Sequence, residues 1–207
     1  MLTIKHLQSR VEWLNRAMPG VSIVCAGGAP RDILNGRPVK DLDFFIEGLA
    51  IDFWESLYHK LKKEFSIRMH GKGETGPHLN ILTAGGKGGC YGSSYSDFYT
   101  VEIAAGWFNL PCQFVMVPLY PASPATDLRA ELMTKFDFGL ARVWCDATRL
   151  RGTPEYWADS LHKRLTFFGS GWGETSPERL ARIREKYSDY RFCNRSGAPL
   201  PEQEIVA

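Results

Sequence analysis

With 207 residues, 44% of them hydrophobic, the chain is long enough for one large domain with a real core, or for a domain with a small appendage. A formal net charge of +2 argues against a broadly basic nucleic-acid coat, and no run is long and apolar enough to cross a membrane. Its five cysteines (Cys25, Cys90, Cys112, Cys145 and Cys193) are scattered without a C-x-x-C pair, and its five histidines show no metal-ligand spacing; with no signal peptide, a reducing, cytoplasmic setting is expected.

In chain order, Leu7, Val11 and Leu14 form one stripe of an amphipathic helix over Ile4–Ala17, which Pro19-Gly20 ends. Ser22–Ala26 reads as a buried strand closed by Gly27-Gly28, where the backbone must turn sharply or approach a ligand. Pro30 suits the first turn of a short helix over Arg31–Asn35, with Gly36 as its stop. Such a junction points free N–H groups at a bound phosphate. A strand over Asp41–Ile46 then places Asp41 and Asp43 on one face and turns Leu42, Phe44 and Ile46 into a core. Two neighbouring carboxylates repel unless a cation sits between them, and hard oxygen donors suit magnesium or manganese. A lone D-x-D is common by chance. The Gly-Gly corner upstream, with Arg31-Asp32 between, makes this one specific.

Phe53, Leu57, Leu61 and Phe65 recur at helical spacing over Asp52–Phe65. From His70 to Asp97 the chain is rich in glycine, with a short strand at Leu79–Thr83. This stretch reads as a long hairpin with loose ends, or as a flap bringing Lys72 and Lys87 to phosphates. Tyr99–Ala105 and Cys112–Pro118 pair as a hairpin around Trp107–Leu110. A helix over Asp127–Lys135 is capped by its aspartate, and Phe138–Cys145 is the last strand of the sheet. Two helices follow, Pro154–Phe167 and Pro177–Tyr187, joined by a flexible Gly169–Gly173. Arg179, Arg182 and Lys186 share a face of the second. Basic residues cluster after residue 140, as a solvated face or a phosphate-contacting one.

Gly27-Gly28-x-x-Arg31-Asp32, then Gly36-Arg37, then Asp41-x-Asp43, resembles the signature of polymerase-beta-like nucleotidyltransferases, above all the head domain of tRNA CCA-adding enzymes and bacterial poly(A) polymerases. Phe136-Asp137-Phe138 is similar to their Arg-Asp-Phe-Thr segment, and Ser176 to Phe192 to their later Arg-rich helix; the order of the blocks is kept over residues 20–192. The resemblance implies an α+β fold: a mixed β-sheet flanked by helices in a head domain over 1–148, then a small helical, neck-like region and tail over 149–207. It implies a nucleoside triphosphate as substrate and an RNA 3′ end as one acceptor, with Mg2+ or Mn2+ on Asp41 and Asp43. The implied catalytic set is Asp41, Asp43 and Asp137, and nucleotide contacts fall to Gly27, Gly28, Arg31, Arg179 and Arg182. Asp32 is read as structural, tying a neighbouring arginine. The short form looks like proteins of bacteriophage genomes and implies a minimal transferase whose acceptor is small or presented by a partner.

The departures carry weight. The third carboxylate of the family is expected on Cys112–Val117, where this chain has Gln113; Glu102 and Asp137 are other candidates for the role. Phe136 stands where Arg is usual, and Gly139 where Thr is usual. Loss of one ligand would weaken the metal that activates the attacking hydroxyl, so a nucleotide- or RNA-binding module with impaired catalysis is the alternative reading.

Overall fold

The computed structural model describes residues 1–47, 51–64, 79–83, 99–103, 106–117, 128–169 and 177–200. Its elements begin with α1 (Ile4–Ala17), β1 (Ile23–Ala26), α2 (Gly28–Leu34), β2 (Leu42–Glu47), α3 (Ile51–Glu64), β3 (Leu79–Thr83) and β4 (Tyr99–Ile103). A 3-10 turn at Trp107–Asn109 leads to β5 (Cys112–Val117) and α4 (Leu128–Lys135). After a second 3-10 turn at Gly139–Ala141 come β6 (Val143–Cys145), β7 (Leu150–Gly152), α5 (Pro154–His162), β8 (Arg164–Thr166), α6 (Pro177–Lys186) and β9 (Arg191–Cys193).

Seven strands form one mixed sheet in the order β3-β4-β5-β2-β1-β6-β7. β2 and β5 run parallel, while the other neighbours are antiparallel. This is the expected α+β class, with helices on both faces of the sheet. Two apolar clusters lie on opposite faces, as strand alternation requires. Leu42, Phe44 and Ile46 of β2 meet Leu7, Val11 and Leu14 of α1 and Leu57 and Leu61 of α3. Phe45 of β2 joins Val115 of β5, Leu132 and Met133 of α4, and Tyr156, Leu165, Leu180, Ile183 and Tyr187 from the C-terminal elements. α3 therefore packs behind the aspartates, on the face of the sheet opposite theirs. Cys25, Cys112, Cys145 and Cys193 are buried and unpaired, which fits small core residues.

Several elements differ from the sequence reading. α2 begins at Gly28, which places Arg31 in mid-helix; the missing N–H of Pro30 still falls in the first turn, where it costs nothing. The strand expected over Phe138–Cys145 is broken by the 3-10 turn, and β7, not β6, is the sheet edge. A Cβ on Gly139 would stand 2.6 Å from Asp159 Oδ2, so this close approach to α5 explains why glycine, not threonine, occupies the position. The helix expected to reach Phe167 stops at His162. Lys163 turns left-handed (φ 49°), and the Asp159 carboxylate takes the Thr166 N–H at 2.9 Å and its hydroxyl at 2.7 Å. The freed segment becomes β8, paired parallel with β9, so the C-terminal region is helical only in part. The boundary expected after residue 148 falls in the turn between β6 and β7, and residues on both sides share the second apolar cluster. Lys72, Lys87, Cys90, Asp127 and residues 170–173 lie outside the described residues.

Candidate active site

The corner after β1 is built by glycine for two separate reasons. Gly27 has φ 76°, a left-handed backbone that side chains resist, and a Cβ there would stand 2.8 Å from the Phe136 ring. Its N–H donates to Val143 O at 3.0 Å, which fixes the corner to β6. The Phe136 ring also meets Phe45 edge-on at 6.0 Å. Phe136 therefore serves as the floor under the glycine corner, a packing role that the usual arginine could not fill.

Gly28 brings the corner to the aspartates. A Cβ there would lie 3.8 Å from Asp41 Oδ1 and 3.9 Å from Arg31 Nη2, in ordinary contact with both. Asp41 just precedes β2, with its side chain about a third exposed and Lys40 Nζ at 3.9 Å. Asp43, two residues on, shares its face with Phe45, while Leu42 and Phe44 face the opposite cluster. The predicted alternation is thus observed: Asp41 lies beside the glycine corner, and Asp43 shares its face of the sheet. On the neighbouring parallel strand, Gln113 is the register partner of Asp43; on the strand beyond, Glu102 is the Cα partner of Gln113.

Arg31 and Asp32 serve a wider network. Arg31 Nε donates to Asp32 Oδ1 at 2.7 Å, and its guanidinium lies over the Tyr187 ring at 5.3 Å. Asp32 also accepts from Lys186 Nζ at 2.7 Å and from Tyr187 OH at 2.8 Å. Burial opposes the charge on Arg31, but Asp32 and Tyr187 outweigh it and raise its pKa. Burial likewise pushes Asp32 up, but Arg31, Lys186 and Tyr187 pull it below the usual carboxylate range. Asp32 ties its neighbouring arginine, as the sequence reading had it. It also clamps α2 to the end of α6, a link between residues far apart in the chain that has no local signature.

The remaining site residues form a second group. Asp137 is buried, and Arg179 grips it with two bonds, Nε to Oδ2 at 2.7 Å and Nη2 to Oδ1 at 2.9 Å. The two weaker sequence blocks are therefore joined in space. The Arg179 side chain remains 44% exposed, enough for its outer edge to meet a ligand. Arg182 lies one turn on and is exposed. Arg142 donates to Phe136 O at 3.4 and 3.3 Å and covers the Phe168 ring at 4.0 Å. Two other C-terminal cations are likewise occupied within the fold: Lys163 bonds Asp189, a carboxylate that Arg37 also bonds, and Lys186 bonds Asp32.

The donor chemistry at Asp41 and Asp43 fits a hard divalent cation, which takes carboxylate oxygens and shares the remaining positions with phosphate and water. Among the described residues, no three histidine, cysteine, aspartate or glutamate side chains converge as a metal site. Also among the described residues, no helix is long and apolar enough to cross a membrane.

No family model matches the chain, and no curated protein sequence matches it. Solved structures do. The Thermotoga maritima CCA-adding enzyme complexed with tRNA is 15% identical, with a TM-score of 0.54 over 93% of this chain and 38% of that one. A CCA-adding enzyme in complex with CTP is 16% identical, with a TM-score of 0.55 over 92% of this chain and 43% of that one. A tRNA-processing enzyme with CTP is 20% identical, with a TM-score of 0.51 over 90% and 43%. The chain thus has the nucleotidyltransferase fold of these proteins and spans well under half the length of each.

Proposed function

We propose that this chain is a metal-dependent nucleotidyltransferase that moves a nucleoside monophosphate from a nucleoside triphosphate to an acceptor hydroxyl, an RNA 3′ end being the acceptor favoured. One observation carries the reading: a Cβ at Gly28 would lie 3.8 Å from Asp41 Oδ1, so the glycine corner stands beside the first aspartate of the pair, on a fold shared with enzymes solved with CTP and with tRNA.

In this reading Asp41 and Asp43 hold a magnesium or manganese ion, which supplies charge neutralisation at the phosphates. Gly28 carries no side chain, which leaves the triphosphate room beside Asp41 and Arg31. Arg31 has its Nε committed to Asp32 and presents its Nη2 edge towards the corner, where it faces phosphate oxygens. Asp137 acts as the anchor that orients Arg179, and Arg179 and Arg182 face the base or the acceptor. The protein's work is positioning and electrostatics, which is what phosphoryl transfer asks of it.

The test is direct. The purified chain is incubated with each nucleoside triphosphate, labelled at the α-phosphate, together with Mg2+ or Mn2+ and a short RNA. Pyrophosphate release and label on the RNA are expected, and Asp41→Ala combined with Asp43→Ala should abolish both. Turnover that survives the double substitution sinks the mechanism. Gln113 beside Asp43 favours a second reading, a nucleotide- or RNA-binding module with impaired catalysis; nucleotide binding without label transfer would select it.

A further inference from the structure

The 3-10 turn at Trp107–Asn109 carries backbone strain and holds a ring at the surface. Two consecutive residues other than glycine, Phe108 (φ 63°, ψ 24°) and Asn109 (φ 58°), sit in the left-handed region. A Cβ there crowds the following carbonyl, so each residue costs free energy. Such strain persists only where the surroundings hold it in place. Trp107 does so, buried in the first apolar cluster, yet Phe108 beside it is 38% exposed. Glycine would relieve the strain at 108 and a polar residue would suit the exposure. Neither backbone nor burial therefore accounts for a phenyl ring here.

Phe108 lines a cavity of about 610 Å3, together with Leu2 before α1, Ile33 of α2, Val39 before β2 and Leu110 before β5. That is the size of a small-ligand cleft. Val39 is two residues from Asp41, so their Cα atoms lie within about 7 Å of each other. The polar groups around the cavity are donors. His6 and Arg37 line it, and none of the described residues lining it is acidic. Arg10, one turn on from His6, lies over the Trp107 ring at 5.5 Å and the Phe108 ring at 5.1 Å. Its Nε is buried without a hydrogen-bond partner among the described residues, and so is that of Arg37, although Arg37 also bonds Asp189. The His6 ring lies 5.4 Å from Phe108 and takes the Thr3 N–H on Nδ1 at 3.1 Å, which leaves its other nitrogen as a donor. An apolar peptide in this cavity would leave those donors without acceptors. A flat heterocycle joined to an anion meets both the ring and the donors.

We propose that this cavity is a subsite for one nucleotide of a single-stranded RNA, with the base stacked on Phe108 and the phosphate against Arg10. The inference rests on the transferase reading above for one thing, that RNA is the acceptor. A strand whose 3′ end reaches Asp41 and Asp43 then leaves an upstream nucleotide beside Val39 and Phe108. The strained turn fixes the ring before the strand arrives, so little ordering is left for binding to supply.

The test titrates a short single-stranded RNA carrying 5-iodouridine into the chain in EDTA, where no transfer occurs, and compares wild type with Phe108→Asn and Arg10→Gln. Asparagine tolerates the left-handed backbone, so Phe108→Asn should keep the melting temperature and lose only the ring. It should weaken RNA binding at least about fivefold and leave the salt dependence unchanged, as loss of a stacking contact does. Arg10→Gln should weaken binding and lower the slope of log affinity against log salt by about 0.7, the share of one phosphate on a single strand. Nucleoside triphosphate affinity should stay level in both variants. Illumination of the wild-type complex should crosslink an iodouridine upstream of the 3′ end to Phe108. The proposal is overturned if the wild type binds no RNA, if Phe108→Asn binds it as tightly as wild type, or if that variant loses triphosphate affinity as well. It is also overturned if Phe108→Asn alters only the self-association of the chain, which would make the cavity a contact between copies. Failure of the transferase reading looks different: RNA binding that depends on Phe108, without label transfer, keeps the subsite and removes the reaction.

Discussion

On one face of the sheet, Leu42, Phe44 and Ile46 bury themselves against α1 and α3, and buried apolar area is the main force between the layers. Around the other, Asp32, Asp137 and Asp159 are buried, each with its own donors: Lys186 and Tyr187, Arg179, and Thr166. The first arrangement tolerates any shape that fills space. The second works only if each carboxylate meets its partner, since an unpaired buried charge costs several kcal/mol. The acidic pair, the glycine corner and the arginines of α6 all belong to this second face. A site that must hold like charges together needs a surrounding framework that is itself polar and directional.

The sharpest break between the faces separates activity from stability. Asp41→Asn with Asp43→Asn should remove transfer by at least about a thousandfold. Its melting temperature should stay level or rise, because two repelling charges are gone. Phe44→Ala should do the reverse, at a cost of about 3–5 kcal/mol. It deletes a fully buried ring that stacks on Phe114 and meets Trp107 edge-on at 5.3 Å, while the folded fraction keeps its turnover. Paired denaturation and label-transfer assays read both. Equal loss of stability in the two variants would mean that the aspartates are structural.

Within the polar face the Asp137–Arg179 pair should respond asymmetrically. Arg179→Ala leaves a buried carboxylate without its two-bond partner and should cost about 2–4 kcal/mol. Asp137→Ala should cost less, because the part-exposed Arg179 side chain can turn to water. It should nevertheless weaken nucleotide binding if Asp137 orients that arginine. A thermal melt and a nucleotide titration on both variants separate the two effects. Equal costs would argue that Arg179 has no freedom to reach solvent.

Much of the apolar face is legible in the sequence, and less of the polar one. Leu7, Val11 and Leu14 spell out α1, and its observed ends coincide with the stripe because Thr3 caps it and Pro19-Gly20 follows. Alternation around Asp41 and Asp43 is equally local, so the facing of that pair could be read directly. The Asp32 clamp could be read only as far as Arg31, because Lys186 and Tyr187 come from the far end of the chain. β8 and β9 were hidden for a related reason. The helix from Pro154 ends where a left-handed Lys163 and the reach of Asp159 to Thr166 stop it, and neither is marked by glycine or proline. Phe136 and Gly139 looked like lost contacts in one dimension. In three they are the floor of the glycine corner and the point of close approach to Asp159.

Acid should strip the polar face first. The folded pKa of Asp32 lies below its unfolded value of about 3.9. The unfolded chain therefore binds this proton first, and stability falls as pH does. The contribution is fully present above about pH 4 and is lost as pH drops through the folded value. Asp32→Asn should cost about 2–3 kcal/mol at pH 7 and flatten the acid limb of a stability profile, whereas Phe44→Ala should shift that profile down without changing its slope. Parallel acid limbs in wild type and Asp32→Asn would remove Asp32 from the account.

The smallest effects test the corner itself. Gly36 and Gly27 both have positive φ, 64° and 76°, so alanine strains the backbone at Gly36 by about 1–2 kcal/mol and at Gly27, whose ψ of −118° lies outside the left-handed helical well, by at least as much. Gly36 has nothing within 4 Å of an added Cβ, and Gly36→Ala should cost no more than that strain. At Gly27 the Cβ meets the Phe136 ring, and that ring is held against Phe45. Gly27→Ala should therefore add a packing cost of about 1 kcal/mol or more. Nucleotide affinity should also fall, since the ring can yield only by pushing the corner away from Asp41. Urea denaturation of the two variants gives the difference directly. If Gly27→Ala proves no worse than Gly36→Ala, Phe136 is not the rigid floor that holds the corner against the aspartates.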